Sequence, residues 1–279
     1  MPNTPVLIAA NFHLLKPCDS RCRFCFATFR DVDGRLDAAD AERVINTLRD
    51  AGVVKLTFVG GEPTLHPDLG RLIRHAKACG MVTCVVTNGF RLDHLLDSHA
   101  DVLDWVGLSV DSGDEAVQAE LGRGHGDHVV RALRLADRCR TLGIRVKLNT
   151  VVTSRTVDED MRGLVRRIAP ERWKVFQVLP IGGQNDGTIG DLLVTDQAFR
   201  AFVDRHTELW AEGLAPVVEN NDAMRGSYVM VDPLGRFFGN STGRLIYSAP
   251  ILDVGVAAAL AEVAFEPAKF DARGGSYAW

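Results

Sequence analysis

Cys18, Cys22 and Cys25 fall within the run Pro17-Cys18-Asp19-Ser20-Arg21-Cys22-Arg23-Phe24-Cys25-Phe26, three thiols spaced closely enough to converge on one soft metal centre. Thiolates select iron–sulfur clusters, zinc or copper(I). The count is three, not four. A cubane of four irons held by three cysteines keeps one iron free of protein ligands, and that iron can take the amino and carboxylate groups of S-adenosylmethionine (SAM). A zinc site completed by a distant His or Asp is the alternative chemistry. Three small core cysteines with no ligand at all are the remaining alternative.

Other residues have types suited to the same site. In Val59-Gly60-Gly61-Glu62-Pro63 the two glycines allow the backbone to approach a ligand, Glu62 and free carbonyls can accept bonds from an ammonium, and Pro63 stiffens the exit. Downstream of the cysteines, this segment suits a ligand that carries an ammonium group. Asn88, within Thr87-Asn88-Gly89, and Ser109 suit a ribose or a carboxylate, or simply end their strands. Lys55, Lys147, Arg172 and Lys174 are cations within or beside apolar runs, where an unpaired charge is expensive. Arg172 and Lys174 alternate, so they point to one face of a strand. Such cations gathered at one rim suit a triphosphate, with Arg acting as a fork and Lys as a point charge; a structural salt bridge is the other reading of each.

These residues must be carried by regular elements, and the pattern is an alternating one. Strands are expected at Pro5–Ala10, Val54–Val59, Val82–Thr87, Asp104–Val110, Val146–Val152 and Trp173–Leu179, mostly continuous apolar runs of the kind that parallel sheets bury on both faces. The first helix has Asp37 as N-cap, Val44, Ile45 and Leu48 on one face and Gly52 as its stop. Further helices are expected near Pro67–Cys79, Arg91–Ala100, His128–Leu142, Glu159–Ile168 and Asp196–Glu212. Six such units make a partial parallel (βα)6 barrel, an α/β fold with right-handed crossovers. From Leu214 the alternation stops, and Tyr228–Asp232 with Arg236–Phe238 reads as a short β-hairpin. The expected organisation is therefore a partial barrel over 1–213 and a C-terminal extension over 214–279 packed on the same domain. In a parallel barrel the chemistry lies at the C-terminal ends of the strands, which is where the loop of cysteines after the first strand falls.

Composition narrows the classes. The chain has 279 residues, 46% apolar and 24% charged, enough for one large α/β domain. Its net charge of −4 does not favour direct DNA or RNA binding. The N-terminal residues lack the basic and apolar regions of a signal peptide and no apolar run approaches about 18 residues, so a cytoplasmic protein without a membrane partner is expected. Cys79, Cys84 and Cys139 fall inside expected helices and strands and read as small core residues.

The CxxxCxxC spacing with Phe24 before its last cysteine resembles the radical-SAM superfamily, and further runs narrow the resemblance to the viperin family of nucleotide dehydratases. These runs are Asn11-Phe12-His13, Gly122-Arg123-Gly124, Lys147-Leu148-Asn149, Asp158-Glu159-Asp160-Met161, Arg172-Trp173-Lys174-Val175-Phe176-Gln177, Ser227-Tyr228, Ile251-Leu252-Asp253-Val254-Gly255-Val256 and Arg273-Gly274-Gly275-Ser276-Tyr277. Together they cover about Val6 to Trp279. The resemblance implies a radical-SAM barrel carrying a [4Fe-4S] cluster on Cys18, Cys22 and Cys25. It implies SAM held by Phe24, Gly60, Gly61, Glu62, Asn88, Ser109, Arg123 and Asn149. Asn11, His13, Lys55, Lys147, Arg172 and Lys174 become the substrate contacts, and Tyr228 a catalytic hydrogen donor.

What the resemblance implies about activity is specific. Cleavage of SAM gives a 5′-deoxyadenosyl radical that removes the C4′ hydrogen of a ribonucleoside triphosphate. Loss of the 3′-hydroxyl as water, with one further electron and a proton, yields the 3′-deoxy-3′,4′-didehydro nucleotide, a terminator of RNA synthesis suited to antiviral defence. CTP is the favoured substrate, with UTP and GTP as alternatives. The implied partners are a flavodoxin or ferredoxin-type electron donor and the nucleotide itself, and the implied state is a monomer. Two alternatives within radical enzymes, the molybdenum-cofactor cyclase and peptide-modifying enzymes, hold auxiliary clusters with further cysteines, and no cysteine follows Cys139. A zinc-stabilised nucleotide-binding module without catalysis is the alternative of another class.

Overall fold

Ten strands build the frame that carries these residues, and the computed structural model describes residues 7–279. In chain order they are β1 (Ala9–His13), β2 (Lys55–Val59), β3 (Val82–Thr87), β4 (Trp105–Ser109), β5 (Arg145–Val152), β6 (Arg172–Gln177), β7 (Pro216–Glu219), β8 (Met230–Val231), β9 (Arg236–Gly239) and β10 (Ile246–Pro250). They form one sheet in the order β10-β9-β8-β1-β2-β3-β4-β5-β6-β7. Every neighbour from β8 to β7 is parallel, and β9 and β10 return antiparallel. Among the described residues β7 and β10 do not pair, so the sheet stays open.

Helices α1 (Ala38–Asp50), α2 (Leu69–Ala78), α3 (Leu92–His99), α4 (Glu115–Glu120), α5 (His128–Thr141), α6 (Arg162–Ile168) and α7 (Asp196–Arg205) connect the parallel strands. The capping of α1 follows its sequence: Asp37 accepts from the Asp40 amide at 2.8 Å, and Val44, Ile45 and Leu48 are buried. Gly52 closes it at φ +101°, a left-handed conformation that a side chain would strain. Apolar residues from both layers make the main core, among them Phe12, Phe58, Leu72, Val106, Leu148 and Trp173.

The parallel frame and the antiparallel hairpin agree with the sequence, and four expectations are corrected. The first strand lies at Ala9–His13, three to four residues beyond the expected Pro5–Ala10, whose first residues fall outside those described. Asn11 and His13 make this stretch look less strand-like, because a barrel can turn polar side chains inward to a site. The sheet also continues past Leu214, for β7 pairs in parallel with β6. A four-residue edge strand opening on Pro216 has little pattern to read, and an edge tolerates proline. The long helix over Asp196–Glu212 breaks at His206, whose Nδ1 contacts the Phe202 carbonyl while its Nε2 accepts from the Met161 amide at 2.9 Å. Finally, α6 starts at Arg162 rather than Glu159, whose carboxylate accepts from the Gly113 amide.

Candidate functional site

The cysteines occupy the loop after β1, at the C-terminal ends of the parallel strands. Cys18 is exposed, and Cys22 and Cys25 are half-buried. The loop is clamped from two sides. Arg21 and Arg23 amides donate to the carbonyls of Gly122 and Leu121 at 2.9 and 3.0 Å, so the loop runs beside the end of α4. Gly122 sits at φ +81°, and a Cβ there would lie 2.1 Å from the Arg21 carbonyl oxygen. On the other flank Asn185 Nδ2 donates to the Phe24 carbonyl at 3.0 Å and Thr188 Oγ1 to the Arg23 carbonyl at 2.6 Å. Phe24 itself packs with Leu121, Val178, Ile189 and Leu192 beneath Cys22, with Arg123 5.6 Å above its ring.

Burial pushes the Cys18 thiol up to about 11 and the Cys22 thiol up to about 12, and it raises Cys25 as well. Three neighbouring thiols that resist ionisation alone fit a polycationic metal centre, because a coordinating metal deprotonates a thiol outright. Arg123 favours the thiolate forms of Cys22 and Cys25. Among the described residues no three His, Cys, Asp or Glu side chains are placed to hold one metal ion. The zinc alternative needs that compact arrangement, with each sulfur about 2.3 Å from one ion. A cluster places each thiolate on a different iron and does not.

The strand-end residues pack around this loop. Gly61 and Glu62 amides donate to the Leu15 and Pro17 carbonyls at 2.7 and 2.9 Å, and a Cβ on Gly61 would lie 2.2 Å from two carbonyl oxygens of the loop. The closest approach these glycines permit is therefore to residues 15–17 of the cluster loop. Glu62 is also more committed than expected. Its carboxylate, raised by burial, accepts from the Thr64 amide and hydroxyl, the Thr87 hydroxyl and the Asn88 amide. Little of it is left for an ammonium. Asn88 Nδ2 donates to Asp19 at 2.6 Å and to Ser20 at 3.1 Å, tying β3 to the loop.

Arg123 is buried against Asp111, whose carboxylate outweighs burial and keeps the guanidinium charged. Ser109 ends β4, where its carbonyl meets His128 Nε2 at 2.7 Å. Asn149 lies beside Ser109 in the β4–β5 register, and its Oδ1 is buried without a partner. A buried acceptor left unpaired costs about 1–3 kcal/mol, so this oxygen marks a place where a ligand donor fits.

At the opposite, N-terminal ends of the strands lies a cavity of about 50 Å³ that Lys55, Lys147, Arg172 and Lys174 share with Asn11 and Tyr228. Lys55 and Arg172 are the first residues of β2 and β6, and Lys147 faces Arg172 across the β5–β6 register. Arg273, which the sequence reading missed, adds a fifth cation. Lys174 is ion-paired with Glu219 and donates to the Tyr228 hydroxyl at 2.7 Å; that hydroxyl in turn donates to Glu219. Arg273 lies 3.6 Å over the Tyr228 ring and 3.6 Å from Glu219. The phenol assigned as hydrogen donor is thus engaged in a charge network. Burial lowers Lys55 to about 7, aided by Lys147, and lowers Lys174 to about 7 against the pull of Glu219. Burial pushes Glu219 up, but Lys174 and Arg273 outweigh it and hold its carboxyl below the usual range.

The last residues cover this cavity. Lys55 lies 4.1 and 4.8 Å from the rings of Tyr277 and Trp279, while Arg172 stacks 4.0 Å from Tyr277 and donates to the Gly274 carbonyl at 2.6 Å. His13 is the one expected substrate contact set apart from the cavity. It follows Asn11 by one pleat and is enclosed by Phe26, Phe29 and Phe238, ring centroids 6.3, 5.3 and 5.1 Å away. Burial lowers its pKa to about 3, so it is neutral, and its Nδ1 has no partner.

A cysteine loop at the C-terminal ends of an open parallel α/β sheet, backed by a Gly-Gly-Glu turn, defines a radical-SAM domain. The Radical SAM superfamily model matches residues 16–168. The fold is similar to that of Streptococcus suis SuiB bound to S-adenosylmethionine, with a TM-score of 0.67 and 19% identity over 83% of this chain and 59% of that one. The S-adenosylmethionine-dependent nucleotide dehydratase of Flammeovirga pacifica is 41% identical over 98% of this chain and 97% of its own. A second, from Oncorhynchus mykiss, is 34% identical over 97% of this chain and 80% of its own. The chain belongs to this family, the viperin-type nucleotide dehydratases, which are radical-SAM enzymes using a [4Fe-4S] cluster and SAM. Among the described residues no helix is long and apolar enough to cross a membrane.

Proposed function

We propose that the chain dehydrates a ribonucleoside triphosphate, CTP in the first place and UTP or GTP as alternatives, to its 3′-deoxy-3′,4′-didehydro analogue. One observation supports it above the rest: five cations wall a single cavity at one end of the sheet whose other end carries the three cysteines. In this reading Cys18, Cys22 and Cys25 hold the cluster, which when bound supplies the electron that opens SAM to a 5′-deoxyadenosyl radical.

The chain's own residues position and enclose. Main-chain carbonyls near Gly60 and Gly61 take the methionine ammonium, Arg123 its carboxylate, and Ser109, Asn149 and Asn88 the ribose side. Lys55, Lys147, Arg172, Lys174 and Arg273 draw the phosphates to the far end, where a triphosphate takes the place of the Tyr277 and Trp279 rings. The sugar is then held between the two ends, facing the cofactor. Fixing the reacting carbon against the cofactor supplies most of what a protein adds to a cofactor-borne reaction. Tyr228 lies beside Lys174 in the path of the phosphates and sugar, where a hydrogen or proton can be delivered. A flavodoxin or ferredoxin-type donor reaches the cluster from the side on which Cys18 is exposed.

The experiment is direct. Anaerobically reconstituted, reduced protein is incubated with SAM and each of the four ribonucleoside triphosphates, and products are weighed. The true substrate returns a nucleotide lighter by one water, with 5′-deoxyadenosine formed alongside. If no nucleotide raises 5′-deoxyadenosine formation, the proposal fails.

A further inference from the structure

Enzymes that handle nucleoside triphosphates commonly take them as magnesium complexes, the ion held by one or two carboxylates as well as by the phosphates. The cavity offers the reverse arrangement. Its walls carry Lys55, Lys147, Arg172, Lys174 and Arg273, and among the described residues lining it there is no Asp or Glu. Glu219 is the carboxylate next to it, fully buried behind Lys174. Its two oxygens are turned to Lys174, Arg273 and the Tyr228 hydroxyl, so using it as a metal ligand would leave two buried cations without a counter-charge. The neutral oxygen donors at hand, such as Asn11 and Tyr228, are poor substitutes for carboxylates on a hard divalent ion.

The charge balance points the same way. Fully ionised, the five cations and Glu219 leave four positive charges around the cavity. A free nucleoside triphosphate carries about four negative charges at neutral pH, since the last phosphate proton leaves near pH 6. Its magnesium complex carries about half that, and would set a divalent cation among buried Lys and Arg side chains. Two of these lysines are already crowded enough by burial and like charge to lie near a pKa of 7.

We propose that the chain binds its nucleotide as the metal-free triphosphate, with side-chain cations standing where other enzymes place a divalent ion. This rests on the triphosphate reading of the cavity, and the test separates the two. Binding of the nucleotide and, in parallel, of inorganic tripolyphosphate is measured by calorimetry on the cluster-loaded protein without SAM, once in EDTA and once across a magnesium titration. With about nine-tenths of the nucleotide chelated, the apparent Kd rises about tenfold, while the Kd expressed in free nucleotide stays constant. Binding that is unchanged or tightened by magnesium overturns the inference and leaves the triphosphate reading intact. Metal-free tripolyphosphate that binds while every nucleotide fails overturns the nucleotide reading, and the inference about the nucleotide falls with it. If neither anion binds at any magnesium concentration, EDTA included, both fall.

Discussion

The two ends of the sheet solve the problem of buried polarity in opposite ways. At the cysteine end nearly every polar group is already answered by another: Glu62 by Thr64, Thr87 and Asn88, Asn88 by Asp19 and Ser20, Arg123 by Asp111. At the cation end five positive side chains face one carboxylate. A satisfied network fixes a shape, whereas an excess of like charge stores an affinity that only an anion releases. The first end is built to hold a cofactor loop still. The second is built to be completed by what arrives.

The widest test of that contrast is to remove a thiol. Cys22→Ala is expected to abolish 5′-deoxyadenosine formation and lower iron content while leaving tripolyphosphate binding at the far end within experimental error. Loss of both would show that the ends are not independent. Next in size are the cations. Arg172→Ala and Arg273→Ala should each weaken nucleotide binding by about 1.5–3 kcal/mol, the range for a charged hydrogen bond, while slow SAM cleavage without nucleotide persists. An unchanged affinity in calorimetry would return them to a structural role.

A pH series sharpens the comparison further. Lys55 and Lys174 have pKa values lowered to about 7 in the free chain, and a bound polyanion raises them. Nucleotide affinity is then fullest below pH 7 and falls as pH rises above it, by at most about tenfold per pH unit for each lysine. Binding curves between pH 6 and 9 that stay flat would refute this. The smallest expected effect is at the satisfied end, where Thr64→Val removes one hydroxyl donor from Glu62 and should cost about 0.5–1.5 kcal/mol of stability in thermal melts. Nucleotide affinity should not change with it.

The contrast also explains what could be read from the chain. Cys18, Cys22 and Cys25 lie within eight residues and Gly60, Gly61 and Glu62 are consecutive, so each group is visible from its own spacing. Lys55, Lys147, Arg172 and Lys174 were visible one at a time, as charges in apolar runs, and the parallel register then gathers them. Arg273 and Glu219 offered no such sign. An arginine in a Gly-rich turn is ordinary, and Glu219 ends a short strand that opens on Pro216, where no alternation marks which face is buried. His13, grouped with Asn11 by the resemblance, lies two residues further along the strand in an aromatic cage, a setting that the sequence did not signal. The clamp on the cluster loop by Asn185 and Thr188 joins segments about 160 residues apart, a pairing local pattern does not reach.

The length of β1 carries a final consequence. Four residue steps separate its start at the cation cavity from its end before the cysteine loop, about 13 Å at the rise of a parallel strand. Under the proposed function the strand is in effect a ruler laid beside the nucleotide, and a diphosphate, one phosphate shorter, is expected to fall short of joining its two ends. Phosphates are then counted by backbone length and not by any group that inspects the last one. Nor can the ruler be adjusted finely, because one residue inserted into a strand turns every inward side chain outward. Its smallest graduation is two residues, about 7 Å, more than a phosphate unit, which makes the accepted tail length a property of the fold itself.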